Sequence, residues 1–210
     1  MSVADIKLAH LLSVAVIAYD LSMSRWKPDA RGRLAQAAME LYGERGFEQT
    51  TVAEIAQRAG LTERTFFRHF ADKREVLFDG AAALQARLVD GVAAAPADAA
   101  PIEIVAAALR SIAPIFAERR AFAAQRQAII AANPDLRERE LIKLAALATA
   151  LTAALRERGV GQPDASLAAE AGIAVFRIGF ERWVAGAGDG PELGEVMDEL
   201  FDSLSAVTTR

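Results

Sequence analysis

Along residues 29–45 the apolar positions Leu34, Ala37, Ala38, Leu41 and Tyr42 recur at steps of three and four, the spacing of one face of a helix. Pro28 and Asp29 stand where such a helix starts, and the Asp29 carboxylate can accept from its first free N–H groups. Gly46 stands where left-handed backbone ends it, and Phe47 can fold back onto the core. Thr50 and Thr51 open the next run, with Glu54 three residues after Thr51. This T-x-x-E capping box predicts a helix over 52–59. Gly60-Leu61-Thr62 reads as a tight turn, with Thr62 capping a short helix over 63–70. After Ala71, Asp72 caps a fourth helix that begins at Lys73 and runs to about residue 91 or 94.

The rest of the chain repeats helical spacing between clear breaks. After an Ala-, Pro- and Asp-rich loop over 95–101, helices fit 102–119, 121–132, 134–158, 164–185 and 193–207. Asn133-Pro134, the segment 159–163 and the glycine-rich segment 186–191 separate them. Pro114 should kink or split the helix over 102–119. Alanine abounds and β-branched runs are few, so the fold class is all-α, with three helices followed by a larger helical region. With 53% hydrophobic residues the chain can bury a sizeable core.

Residues 8–19 form an apolar stretch too short to span a membrane, and the segment lacks the flanks of a signal peptide. Two readings stay open: an upstream extension before a natural start at Met23, or an extra amphipathic helix. The expected domains are 1–24, an N-terminal extension; 25–72, a domain of three helices; and 73–210, a larger helical domain.

The helix–turn–helix spacing carries the functional reading. Ala56 and Gly60 are small where two helices pack closely, and Val52, Ile55, Leu61, Phe66 and Phe70 supply the internal face. The helix over 63–70 then leaves Thr62, Glu63, Arg64, Thr65, Phe67, Arg68 and His69 available. Such a helix fits the major groove of B-DNA, where arginine can fork onto guanine. An ordinary helical hairpin would share the bare pattern. The stretch TTVAEIAQRAGLTERTFFRHFADKREVLF resembles the DNA-binding signature of the TetR family, T-T-hydrophobic-x-x-I-A-x-x-A-G-hydrophobic-S/T, four residues, then Y-x-H-F-x-x-K-x-x-L. The segment GRLAQAAMELYGERGFEQT resembles that family's first helix. The resemblance implies an all-α fold with a three-helix DNA-binding domain with a helix-turn-helix over 25–72 and a larger helical ligand-binding and dimerisation domain over 73–210. The resemblance implies phosphate contacts at Thr51, Phe67, His69 and Lys73 and groove-facing positions at Thr62, Arg64 and Thr65. Phe67 departs from the family's tyrosine and has no hydroxyl to donate.

In the larger domain the helix over 164–185 sets small Ala168, Ala171, Gly172 and Gly179 beside Phe176, Ile178, Phe180 and Trp183. The helix over 193–207 carries Leu193, Val196, Met197, Leu200, Phe201, Leu204 and Val207 as a wide apolar stripe. The resemblance implies that these two helices pair with their copies in a homodimer, through Ala168, Gly172, Phe176, Gly179, Trp183, Val196, Leu200 and Leu204. Ordinary packing within one subunit is the alternative for part of each stripe. Residues 102–158 should surround a ligand cavity, with Leu109, Ile112, Ile115, Phe116, Phe122, Ile129 and Ile130 as apolar wall. Arg126 and Arg177 would bind an anionic headgroup or pair with Glu118, Glu170 or Glu181. The segments RQAIIAANPDLRERELIK, LRERG and FERWVAG resemble a TetR subgroup whose ligands include long-chain acyl-CoA.

Charge and composition narrow the classes. The net charge is -4, so DNA binding must come from the placement of basic groups rather than a broad positive field. Cysteine is absent and the histidines are His10 and His69, which speaks against thiolate or histidine metal sites, and no cofactor is expected. A cytoplasmic location fits. No phosphate loop or nucleophile elbow marks an enzyme, although an unrecognised carboxylate site stays open. The expected function is a ligand-responsive DNA-binding transcriptional regulator, acting as a repressor released from its operator by a small apolar ligand. The alternative is an architectural DNA-binding protein without an effector. The expected partners are double-stranded operator DNA, a second copy of the chain and a small-molecule effector, an acyl-CoA or another lipophilic compound, with no membrane.

Overall fold

A computed structural model describes residues 29–117, 119–186 and 190–209. The apolar stretch 8–19 and the start at Met23 lie outside the described residues. Among the described residues the chain is all-helical, and it divides into two compact units between Val76 and Leu77.

The N-terminal unit holds α1 (Ala30–Arg45), α2 (Val52–Arg58) and α3 (Glu63–His69). Local chemistry sets each boundary. Asp29 caps α1, its carboxylate accepting from Arg31 N and Gly32 N at 3.1 and 3.0 Å. Gly46 ends α1 at φ 87°, where a Cβ would be strained. Thr51 and Glu54 form the reciprocal capping box of α2, and Thr62 Oγ1 accepts from Thr65 N at the start of α3. Asp72 accepts from Arg74 N and Glu75 N. It caps a single 3-10 turn, Glu75–Phe78, rather than the long helix expected from Lys73. That helix is interrupted at Gly80, φ 87°. Leu34, Ile55, Phe66 and Phe70 meet in a small buried core.

The C-terminal unit contains α4 (Ala81–Ala94), α5 (Pro101–Ile112), α6 (Arg120–Ala132), α7 (Pro134–Glu157), α8 (Asp164–Ala185) and α9 (Leu193–Thr208). Pro114 splits the expected helix over 102–119: α5 stops at Ile112 and a 3-10 turn, Ala113–Ile115, follows. The core runs through α4, α5, α7, α8 and α9, with Val105, Leu109, Leu151, Ala169 and Met197 fully enclosed. Close helix contact requires small residues at its crossings. A Cβ on Gly91 of α4 would come within 2.8 Å of the Ala108 Cα of α5, and one on Gly172 of α8 within 2.2 Å of Val105 Cγ1.

Two sets of expected positions change place. Ala168, Gly172, Phe176, Gly179, Trp183 and Val196 are buried in the chain's own core, and Leu200 and Leu204 pack partly against it. Gly172 is small because Val105 and Leu109 press on it, and Gly179 because Leu200 and Met197 do. Six of these eight are thus used inside the chain, whereas Leu200 and Leu204 keep part of their surface exposed. On α8 the outward apolar positions are Leu167, Ala174 and Ile178, and on α9 Val207. Among the expected wall residues, Leu109, Ile112 and Ile130 are fully buried within the packed core, whereas Phe122 is exposed.

Candidate nucleic-acid interface and effector domain

Within the N-terminal unit, α3 is seated by Phe66 and Phe70, whose rings lie 5.5 Å apart. This leaves Thr62, Glu63, Arg64, Phe67 and Arg68 exposed and Thr65 and His69 half-buried. Phe67 is 55% exposed. It turns outward, with only the edge of its ring system meeting Phe66 at 5.5 Å. Arg64 and Phe67 lie one helical turn apart and so share a face. Thr62 and Thr65 hydroxyls bond to each other at 3.0 Å. The His69 Nε2 is buried without a partner.

Most other basic groups of the unit are engaged. Arg33 donates to the carbonyls of Ala59 and Gly60 and pins the turn before α3. Arg58 grips both carboxylate oxygens of Glu44 at 2.8 Å, and this pairing holds the Glu44 carboxyl below the usual range and raises the guanidinium. Arg45 reaches Glu54 at 2.6 Å, and Arg74 reaches Asp72 at 3.3 Å. Arg31 stacks over Phe70. Among the described basic side chains of this unit, Arg64 and Arg68 remain exposed with no protein partner, and both stand on α3.

Lys73 is a correction. Its ammonium donates to Phe47 O at 2.8 Å, Glu48 O at 3.2 Å and Thr50 O at 2.9 Å, and lies 4.4 Å from the Phe47 ring centroid. An ammonium has three donors, and all three are used inside the protein. Lys73 therefore fastens the loop that leads into α2 instead of offering its charge to a phosphate. Its own carbonyl accepts from the Tyr42 hydroxyl at 2.6 Å, and burial raises that phenol's pKa. Thr51 keeps its expected position at the exposed start of α2, with its hydroxyl 2.9 Å from Glu54 Oε2.

In the C-terminal unit both arginines sit in ion pairs, and that of Arg177 with Glu181 is one the sequence spacing offered. Arg177 is exposed and faces Glu181 one turn away at 3.7 Å. Arg126 is largely enclosed. Its Nη1 meets Glu140 at 3.1 Å and its Nε donates to Leu77 O at 2.6 Å, with the Phe78 ring 5.3 Å away. Burial pulls the guanidinium below its ordinary pKa, and Glu140 partly restores it. Glu140 also accepts from Gln127 at 3.3 Å. Glu118 lies outside the described residues, and α7 supplies the partner that sequence spacing did not indicate.

Residues expected in different roles come together. Phe116, expected in the ligand wall, packs with Phe176 and Trp183, expected at the dimer face, and with Phe180. Ring centroids within this cluster lie 5.6–6.4 Å apart. Phe180 belonged to neither candidate list, and its i, i+4 and i, i+3 spacing from Phe176 and Trp183 is the sequence signal that marks it.

The family model for bacterial regulatory proteins of the tetR family matches residues 34–79, and that for the MftR C-terminal domain matches residues 99–209. The HTH-type transcriptional regulator TcmR of Streptomyces glaucescens is 35% identical over 82 residues, which is 39% of this chain and 36% of TcmR. The chain thus spans well under half the length of the first curated relatives it matches, 36–40%. The crystal structure of Thermus thermophilus FadR, a TetR family transcriptional repressor in complex with lauroyl-CoA, is 30% identical. That match covers 80% of this chain and 90% of FadR with a TM-score of 0.51. Bacillus subtilis FadR, in complex with stearoyl-CoA, shares the fold at 20% identity, covering 81% of this chain and 95% of its own, with a TM-score of 0.58. On both family models and the Thermus relative, the chain belongs to the TetR family of bacterial transcriptional regulators.

Proposed function

We propose that this chain is a DNA-binding transcriptional repressor that releases its operator when a small apolar effector binds the C-terminal unit. One observation carries the DNA-binding half. Among the described residues of the N-terminal unit, the arginines without a protein partner, Arg64 and Arg68, stand on α3, beside the exposed Thr62 and Phe67. Arg64 is the base-reading residue, Thr51 and the start of α2 face phosphate, and Arg68 adds a phosphate contact. Phe67 contributes apolar contact in place of the hydroxyl it lacks. Likeness to a FadR holding lauroyl-CoA supports a fatty acyl effector.

A second copy completes the regulator, since operators read by such modules mirror a two-fold axis. Leu167, Ala171, Ala174 and Ile178 fall at steps of four, three and four along α8, and Leu167 and Ile178 are 64% and 44% exposed. This stripe is the proposed dimer face. Ile178→Asp should convert the dimer to a monomer in analytical ultracentrifugation; an unchanged dimer assigns the contact elsewhere.

The deciding experiment selects an operator from random duplexes and compares Arg64→Ala with the natural chain. Specific affinity should fall by about 1–3 kcal/mol, the scale of one bidentate base contact, with little change on random DNA. Equal loss on both makes Arg64 a phosphate ligand. Lauroyl-CoA should then weaken operator binding by roughly 5–150-fold, and operator should weaken lauroyl-CoA binding by the same factor.

A further inference from the structure

Trp183 is 2% exposed, yet its indole Nε1 is buried and donates to nothing. A buried indole N–H ordinarily finds an acceptor, because stripping it of water without replacement opposes folding. The chain's own groups are arranged so that none arrives. Phe116 and Phe180 pack on the ring at 6.2 and 5.7 Å, and Phe176 packs against both of them. Arg120 covers an indole face at 5.0 Å, its Nη2 committed to the carbonyls of Gly190 and Pro191. Gln127 Oε1 also lacks a partner, but its residue is only half-buried.

The cluster is closed on its core side and accessible on another. Phe176 is buried, whereas Phe116 and Phe180 are only half-buried. Phe116 follows the 3-10 turn Ala113–Ile115, between α5 and α6. Pro114, inside that turn, keeps α5 from continuing to it.

We propose that Trp183 Nε1 is the polar contact of the effector site, donating to the carbonyl oxygen of an acyl chain that enters beside Phe116 and Phe180. This inference rests on the effector-responsive reading above and names the ligand chemistry of that site. The aromatic walls accept a hydrocarbon chain. The lone donor selects a chain with an oxygen acceptor at its head, an acyl thioester or a fatty acid. A lipophilic cation offers no acceptor.

The test uses the full chain carrying Trp26→Phe, which leaves Trp183 as the sole tryptophan of the two in the sequence. Lauroyl-CoA, laurate and dodecyltrimethylammonium are titrated while Trp183 emission is followed, and affinities are measured by calorimetry. An acyl compound should shift the emission and saturate, and the cation should not; comparing the two acyl compounds tells the thioester from the acid. Trp183→Phe should weaken acyl binding about tenfold, the upper range for one net hydrogen bond. Replacing Trp183 by 3-benzothienylalanine, which keeps the ring shape and removes only the N–H, should do the same at an unchanged melting temperature. Full affinity in that second variant, with lauroyl-CoA still releasing operator, overturns the Trp183 contact and leaves the regulator reading standing. Failure of both acyl compounds to bind overturns the contact and the acyl reading together. An emission shift with the cation overturns the carbonyl assignment.

Discussion

Lys73 in the N-terminal unit and Leu109 in the C-terminal unit are each central to their surroundings, by opposite means. Lys73 holds three carbonyls of the loop at Phe47, Glu48 and Thr50. Leu109 makes no polar bond with its side chain; it is fully enclosed and presses on Gly172 of α8. The difference follows from helix length. The helices α2 and α3 are seven residues each, too short to persist alone, and their small core cannot fix their angle. Side chains bonded to loop carbonyls (Lys73, Arg33 and the Thr50 hydroxyl on Gly46) fix it instead. The long helices α7 and α8 bury continuous apolar faces and need few such fastenings. One is Arg158, whose guanidinium reaches the carbonyls of Val92, Ala93, Ala95 and Pro96 at the end of α4. The unit of short helices is thus held by directional bonds, and the unit of long helices by non-directional packing.

Leu109→Ala should give the largest effect, about 2–5 kcal/mol of lost stability for a buried leucine truncated to a cavity. Denaturant unfolding of the chain carrying Trp26→Phe, followed by Trp183 emission, reads it, and α3 is left intact. A loss below 1 kcal/mol would mean that the C-terminal core is loosely packed there and would weaken the contrast. Lys73→Met keeps the stem and removes the three bonds. It should cost roughly 1–3 kcal/mol and lower affinity for every DNA sequence through a displaced α2. The salt dependence of binding should keep its slope, because no phosphate contact is lost. A slope reduced by about one contact would return Lys73 to the interface.

Phe67→Tyr should raise DNA affinity by about 0.5–1.5 kcal/mol, one net hydrogen bond to phosphate, since the ring already points outward. Unchanged affinity at equal stability would show that the ring meets sugar or base rather than phosphate. Glu54→Gln probes the smallest fastening. Bonds from the Thr51 backbone and hydroxyl, and the nearby Arg45, hold the Glu54 carboxyl below its ordinary 4.5. A depressed pKa contributes stability at higher pH and loses it as pH falls through the folded value. The natural chain should therefore lose part of the N-terminal unit's stability below about pH 4.5, and Glu54→Gln should flatten that acid limb. An identical acid limb in both chains would assign it to other carboxylates.

The sequence by itself determined what depends on neighbours within a turn. Asp29, the Thr51–Glu54 box, Thr62 and Asp72 are legible because a cap needs a short polar side chain at a fixed offset from free N–H groups. Gly46 and the break at Pro114 are legible because the backbone there excludes other geometries. The exposure of Arg64 and Phe67 follows from the same short period once Phe66 and Phe70 are taken as the buried pair. Tertiary structure alone decided the rest. Nothing local shows that Lys73 will find three carbonyls of residues 47–50. Nor does it show that Arg126 will find Glu140 or that Gly172 is small for Val105. Periodicity marks a helix face as apolar but is silent on which apolar partner covers it. Phe176, Gly179 and Trp183 could serve a dimer face or a core with the same pattern, and only the packing of α5, α6 and α9 against α8 turned them inward.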